Sequence, residues 1–198
     1  MVPNHHGDHP GFSGVPGLVA GLTMVLGRRQ VARLAADLAG LRPGQHVVDV
    51  GCGPGAAVRV AASRGATVTG VDPAAVMLGM ARWLTRGRTS VTFVEGTAAS
   101  LPLGDASADV VWSIATVHHW PEIEAGLAEV RRVLVEGGTF LAVERGTDPS
   151  ATGLATHGWT DLQAEVFGAA CRTAGFASVD VAGHRAGRST QLVVTATR

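Results

Sequence analysis

Five short runs of apolar, mostly β-branched residues recur along this chain, at His46–Val50, Thr67–Val71, Val91–Val94, Asp109–Ser113 and Thr139–Val143. Helix-like stretches separate most of them, near Ala56–Arg64, Ala74–Thr85 and Glu122–Leu134. Such alternation requires βαβ crossovers, and so a mainly parallel sheet with helices on both faces. The runs are apolar almost throughout, as strands covered on both sides must be. A further helix near Asp161–Ala174 stops at Gly175, and two more strands follow, near Ser178–Ala182 and Gln191–Thr197. The short link between them (Gly183–Thr190) permits an antiparallel pair. The expected architecture is α/β and doubly wound, a mainly parallel seven-stranded sheet with an antiparallel strand at its C-terminal end.

Upstream of the first strand, apolar residues recur at helical spacing from about Leu18 to Leu41, and Arg42-Pro43-Gly44 ends that helix. Residues 1–16 are broken by Pro3, Gly7, Pro10, Gly11, Gly14 and Pro16 and read as a flexible arm containing His5, His6 and His9. Nothing there holds ligands in a fixed geometry, so no metal site is expected. Residues 17–198 are expected to form one domain, since a chain of 198 residues that is 46% hydrophobic can fill a single core. Sixteen Arg balance 16 Asp+Glu, which leaves no basic face for nucleic acid. Cys52 and Cys171 lack metal-ligand spacing, and unpaired thiols suit a cytoplasmic protein. The apolar stretch Leu18–Leu26 is too short for stable membrane insertion.

The chemistry concentrates where the first strand ends, in Asp49-Val50-Gly51-Cys52-Gly53-Pro54-Gly55. Glycines between a strand and a helix let the backbone turn sharply and approach a ligand closely. Asp72, 21 positions after Gly51, closes the second strand, where a carboxylate accepts both hydroxyls of a ribose. Together these features indicate an adenosine-type cofactor. Gly51, Gly53 and Ala56 also satisfy the dinucleotide pattern, so a nicotinamide cofactor has to be weighed. Against it, Asp49 would repel a pyrophosphate, and Pro54 removes a backbone N–H that would cradle one. S-adenosylmethionine has no phosphate and carries an ammonium and a sulfonium, which the charge of this bend suits better.

The chain resembles the class I S-adenosylmethionine-dependent methyltransferases, in particular the small-molecule branch that includes ubiquinone/menaquinone C-methyltransferases. The motifs that carry the resemblance run in order over roughly residues 30–145. They are Val47-Val48-Asp49-Val50-Gly51-Cys52-Gly53-Pro54-Gly55, Val71-Asp72, Glu95-Gly96-Thr97-Ala98 with Leu101-Pro102, Asp109-Val110-Val111, His118-His119-Trp120, and Glu129-Val130-Arg131-Arg132-Val133-Leu134 ahead of Gly137-Gly138. The resemblance implies that Gly51 and Gly53 line the methionine end of the cofactor, with Asp49 near its amino group. It implies that Asp72-Pro73 meets the ribose, that Met77 packs on the adenine, and that Thr97-Ala98 meets the adenine edge. The family usually has Asp where this chain has Thr97, so the bond to the adenine amino group loses its charge assistance.

The cleft of such a sheet opens between the first and fourth strands. Ser113, Thr116, His118, His119 and Trp120 are therefore expected beside the transferring methyl, Ser113 toward the cofactor. His119 or His118 is the candidate general base, His119 marginally preferred. Glu129 and Arg132 read as helix solvation and packing. Leu18, Leu22, Met24, Val25, Trp120 and Trp159 are the available walls for a small apolar or aromatic acceptor. The lack of a large lid leaves room for a homodimer or another partner to close the site. S-adenosylhomocysteine would be the product. Two rivals stay open, a non-catalytic cofactor-binding module acting through a protein partner and an NAD(P)-dependent oxidoreductase.

Overall fold

The computed structural model describes residues 29–151 and 157–198. The His-containing arm and the expected walls Leu18, Leu22, Met24 and Val25 lie outside the described residues. The described elements run α1 (Arg29–Leu38), β1 (His46–Val50), α2 (Ala56–Ser63), β2 (Thr67–Asp72), α3 (Ala75–Leu84), β3 (Val91–Glu95) and β4 (Ala108–Ile114). A one-turn 3-10 helix (Val117–His119) precedes α4 (Ile123–Val133), β5 (Leu134–Arg145), α5 (Asp161–Thr173), β6 (Ser178–Ala186) and β7 (Ser189–Thr197).

The seven strands form one sheet in the order β3-β2-β1-β4-β5-β7-β6. β1 lies parallel to β2 and β4, β2 to β3 and β4 to β5, while β7 runs antiparallel to both its neighbours. Alternate residues of the central strands feed two separate apolar layers. Val48, Val111, Phe140 and Ala142 pack with Leu127, Val130 and Phe167 of α4 and α5. Val47, Val110, Leu141 and Val143 pack with Ala35, Val58 and Leu78 of α1, α2 and α3. Each face of the sheet is thus closed by its own helices, which is why its strands carry apolar residues in both directions.

Two local features depart from the sequence reading. Gly137-Gly138 is expected as a turn ahead of the fifth strand, yet β5 already begins at Leu134. The register with β4 jumps from Ala108↔Leu134 to Val110↔Thr139, so the glycines form a bulge inside the strand. Gly137 there adopts φ +74° and donates to the carbonyl of the C-terminal Arg198 at 3.1 Å. β6 and β7 are each longer than expected and meet in a two-residue turn at Gly187-Arg188, with Gly187 at φ +62°. Such tight hairpins match the natural twist of the strands they join.

Strand order reverses between β1 and β4, where successive crossovers leave in opposite directions. The loops that follow these two strands therefore diverge and leave a cleft between them. This switch point positions the site.

Candidate active site

At the tip of β1 the chain turns through three left-handed glycines, Gly51, Gly53 and Gly55, at φ +75°, +51° and +75°. The N–H groups of Gly51 and Cys52 both donate to the Val71 carbonyl of β2, at 2.8 and 3.0 Å. Gly55 N–H donates to Cys52 O at 3.0 Å. The Asp72 carboxylate completes the bend by accepting from Gly53 N–H at 2.8 Å and from Ala74 N–H at 2.9 Å. A Cβ on Gly51 would lie 2.7 Å from the Thr116 side chain, whereas one on Gly53 would meet nothing within 4 Å. The bend is therefore closed on its β4 side and open over Gly53.

A small open depression follows this bend, lined among others by Asp49, Gly51, Cys52, Pro54, Ala57 and Ile114. Asp49 is only 2% exposed. Burial pushes the Asp72 carboxyl up from its ordinary range, and its two backbone donors pull it back. Burial, reinforced by the neighbouring Asp49 and Asp72, pushes the Cys52 thiol well up. Cys52 thus stays protonated and fills space under Gly70, where an added Cβ would come within 2.8 Å of its sulfur.

The other cofactor-side candidates surround Asp72. Pro73 is exposed, and Met77 is buried in the first turn of α3. The register Asp72↔Glu95 brings the tip of β3 beside it, and Gly96 N–H donates to Asp72 O at 3.3 Å. Thr97, just beyond, is exposed, and Ala98 is half-buried. Glu129 and Arg132 reach across to this segment rather than only solvating α4. Glu129 accepts from Leu101 N–H at 2.8 Å. Arg132 donates to the carbonyls of Leu101 and Leu103, to Asp105 and to Glu129. The guanidinium holds the Glu129 carboxyl below the usual carboxylate range, helped by Leu101 N–H.

On the β4 side, Ser113 is fully buried and its hydroxyl lies 2.5 Å from Thr116 Oγ1, which donates to Val50 O of β1 at 3.0 Å. The 3-10 turn that follows carries both histidines. His118 Nδ1 sits 2.9 Å from Oε2 of Glu144, a β5 residue with no exposed surface. The His119 ring centroid is 4.0 Å from that of His118, and the His157 ring lies 5.8 and 6.4 Å from those two. His157 is brought there by the bridge between Gly146 and Trp159, through which Thr147 N–H donates to Trp159 O at 2.7 Å. Among the described residues no group of three or more His, Cys, Asp or Glu side chains is arranged to hold a metal ion.

Two expected acceptor walls are elsewhere. Trp120 and Trp159 are each 5% exposed and belong to the apolar layer beneath α4 and α5. Trp159 packs on Phe167 at 4.9 Å, and Trp120 lies close enough that a Cβ on Gly126 would come within 2.6 Å of its ring. Their large apolar area is better covered by the core than by an open cleft. Glu144 escaped the sequence reading. Its signal is a single carboxylate ending the run Phe140-Leu141-Ala142-Val143 in a central strand, where a charge is costly unless paired.

Residues 48–142 match the family described as a methyltransferase domain. That match takes in just under half of the chain. Its fold is Rossmann-like, as comparison with solved structures shows. A SAM-dependent methyltransferase from Aquifex aeolicus superposes with a TM-score of 0.76 at 17% identity, over 91% of this chain and 98% of that one. Among curated proteins, the domain is similar to the ubiquinone/menaquinone biosynthesis C-methyltransferase UbiE of Rubrivivax gelatinosus, 37% identical over 122 residues. That match takes in 62% of this chain and 46% of the relative. It is also similar to the 27-O-demethylrifamycin SV methyltransferase of Amycolatopsis mediterranei, 34% identical over 129 residues, 62% of this chain and 47% of that protein. The matched segment thus spans about half the length of these relatives. No described helix is long and apolar enough to cross a membrane.

Proposed function

We propose that this chain transfers a methyl group from S-adenosylmethionine to a small-molecule acceptor by in-line displacement. One observation carries the choice of cofactor class. The N–H groups of Gly51, Cys52, Gly53 and Gly55 all donate within the protein, and Pro54 has none. The bend therefore offers no cradle of backbone donors to a pyrophosphate. Its buried carboxylate, Asp49, instead favours a cation. A nicotinamide dinucleotide meets repulsion from Asp49 and no donor from these four residues, whereas a cationic nucleoside without phosphate suits the charge.

In this reading Asp49 holds the ammonium and Gly51 and Gly53 admit the methionine chain. Asp72 accepts from the ribose hydroxyls, Met77 packs against the adenine, and the Thr97-Ala98 backbone meets its edge. Ser113, through Thr116, fixes the β4 side of the bend. When bound, the cofactor supplies a methyl group on a sulfonium, which departs as a neutral thioether. The protein's task is then placement: holding an acceptor in line and excluding water supplies up to about 7–11 kcal/mol in ideal cases. The names of the quinone and rifamycin relatives support a small organic acceptor.

Calorimetry with S-adenosylhomocysteine and NAD tests the reading. We expect heat with the first and none with the second, and Asp72→Ala is expected to weaken S-adenosylhomocysteine binding at least ~10-fold through loss of charge-assisted hydrogen bonds. No heat with S-adenosylhomocysteine overturns the proposal. Cofactor binding without turnover on any acceptor would favour the non-catalytic module.

A further inference from the structure

The balanced formal charge is expected to leave no basic face, yet the folded chain segregates its charges. Residues 29–94 hold eight Arg against three Asp, whereas residues 95–198 hold seven Arg against twelve Asp and Glu. The first group spans α1, α2 and α3, which cover one face of the sheet, while α4 and α5 cover the other. Of the three Asp, Asp49 and Asp72 are buried at the glycine bend, and Asp37 pairs with Arg64 at 2.6 Å. The densest cations of this face sit where α3 gives way to β3. No Asp or Glu lies between Asp72 and Glu95, while Arg82, Arg86 and Arg88 are all exposed. Arg82 donates to the backbone carbonyl of Phe93 at 3.0 Å, which leaves its charge uncompensated. Burial lowers the Arg59 guanidinium of α2 from its ordinary value, and repulsion from Arg88 and Arg29 lowers it further. The cations of the three helices thus share one positive field. Beside them Trp83 is 62% exposed, with the Arg86 guanidinium 5.5 Å from its ring centroid. The other three tryptophans are at most 5% exposed.

We infer that this corner of the molecule docks on a lipid surface of anionic headgroups, with Trp83 at the polar–apolar boundary and Arg82, Arg86 and Arg88 on the headgroups. The charge selects an anionic partner, because three guanidinium groups there have no carboxylate to meet within the segment. The indole selects lipid. An exposed Trp gains by burying its ring in the interfacial layer while its N–H stays in the polar one. Single-stranded nucleic acid needs a basic groove with successive rings on which bases stack. Here one ring stands at a helix end, and Arg86 already lies over it. Docking through one indole and three cations is reversible, unlike the insertion of a spanning helix. It also leaves the site free. α3 runs from the tip of β2, beside the glycine bend, back to the start of β3. Its C-terminal end therefore lies at the edge of the sheet opposite the depression, which a docked molecule keeps away from the bilayer.

Tryptophan emission reads the docking directly, since Trp83 is the one exposed indole of the four. The full chain is mixed with vesicles of equal parts phosphatidylcholine and phosphatidylglycerol, or with vesicles of phosphatidylcholine alone. We expect a blue shift and co-sedimentation with the first and neither with the second, both fading as salt is raised. Trp83→Ala should abolish the shift. Arg86→Gln and Arg88→Gln should each lower partitioning roughly fivefold. Arg185→Gln is the control: exposed on β6, it pairs with Thr190 on the side of Leu192 and Val194, the opposite face, and should change nothing. Melting temperature and S-adenosylhomocysteine affinity should stay at wild-type values in every variant, with or without vesicles. A wild type that ignores the anionic vesicles overturns the inference, whatever it does with single-stranded polyuridylate. So does partitioning that survives in the Arg86→Gln/Arg88→Gln double variant, or that Arg185→Gln weakens equally. Failure to bind S-adenosylhomocysteine overturns the methyl-transfer reading instead and leaves the vesicle result standing.

Discussion

Gly51 and Gly53 sit two residues apart in the same bend, both with left-handed backbones, yet an added methyl group would meet opposite surroundings. At Gly51 it would lie 2.7 Å from the Cβ, Cγ2 and Oγ1 of Thr116, and at Gly53 nothing lies within 4 Å. Both alanine variants carry the cost of a left-handed backbone, about 1–2 kcal/mol. Gly51→Ala adds overpacking against Thr116, whose hydroxyl is tied to Ser113 and Val50 and cannot easily retreat, for a further ~1–3 kcal/mol. A domain of this size loses about 2–4 °C of Tm per kcal/mol. Gly53→Ala should therefore melt about 2–8 °C below wild type, and Gly51→Ala a further ~2–12 °C lower. Binding should reverse the order of interest. The new methyl at position 53 projects into the space assigned to the cofactor and should weaken S-adenosylhomocysteine binding by ~10-fold or more, equivalent to about 1.4 kcal/mol. Differential scanning fluorimetry and calorimetry on the two variants read both effects. Equal melting temperatures would refute the packing argument, and wild-type affinity in a folded Gly53→Ala would refute the placement of the cofactor over that residue.

Other outcomes follow from the ionisable groups. The folded-state pKa of Glu129 lies below its unfolded value, so its stabilising pair with Arg132 is present above about pH 4.3, the ordinary Glu value, and is lost as pH falls through the depressed one. Glu129→Gln should melt up to ~4 °C below wild type at neutral pH, with the gap closing in acid; a gap that stays constant to low pH would contradict the pairing. Burial pushes the Cys171 thiol up to about 12 and the Cys52 thiol well up. Native protein at mildly alkaline pH should therefore react with iodoacetamide at least ~100-fold more slowly than protein unfolded in urea, since the thiolate is the nucleophile. Mass spectrometry locating rapid native labelling at Cys52 would refute its assignment as an inert filler of the bend.

The elements of the sheet were legible because each rests on local pattern: apolar runs mark the strands, helical spacing the helices, and the Asp49–Gly55 bend needs residues that tolerate left-handed backbone. All seven expected strands are found, and their boundaries moved only where long-range pairing extended or bulged them. Glu129 and Arg132 were harder to place, because their hydrogen bonds to Leu101 and Leu103 cross about 28–31 residues of chain and leave no spacing signature.

By itself, then, the order of residues determined the α/β alternation, the glycine bend with its flanking Asp49 and Asp72, and the histidine pair after β4. Tertiary structure alone decided what surrounds them. It sank Trp120 and Trp159 into the apolar layer beneath α4 and α5, and it set Glu144 against His118 from 26 positions away. The physical reason is that dihedral preference and hydrophobic period act between near neighbours. Burial and the pairing of a desolvated charge depend instead on which distant segments the folded sheet brings side by side.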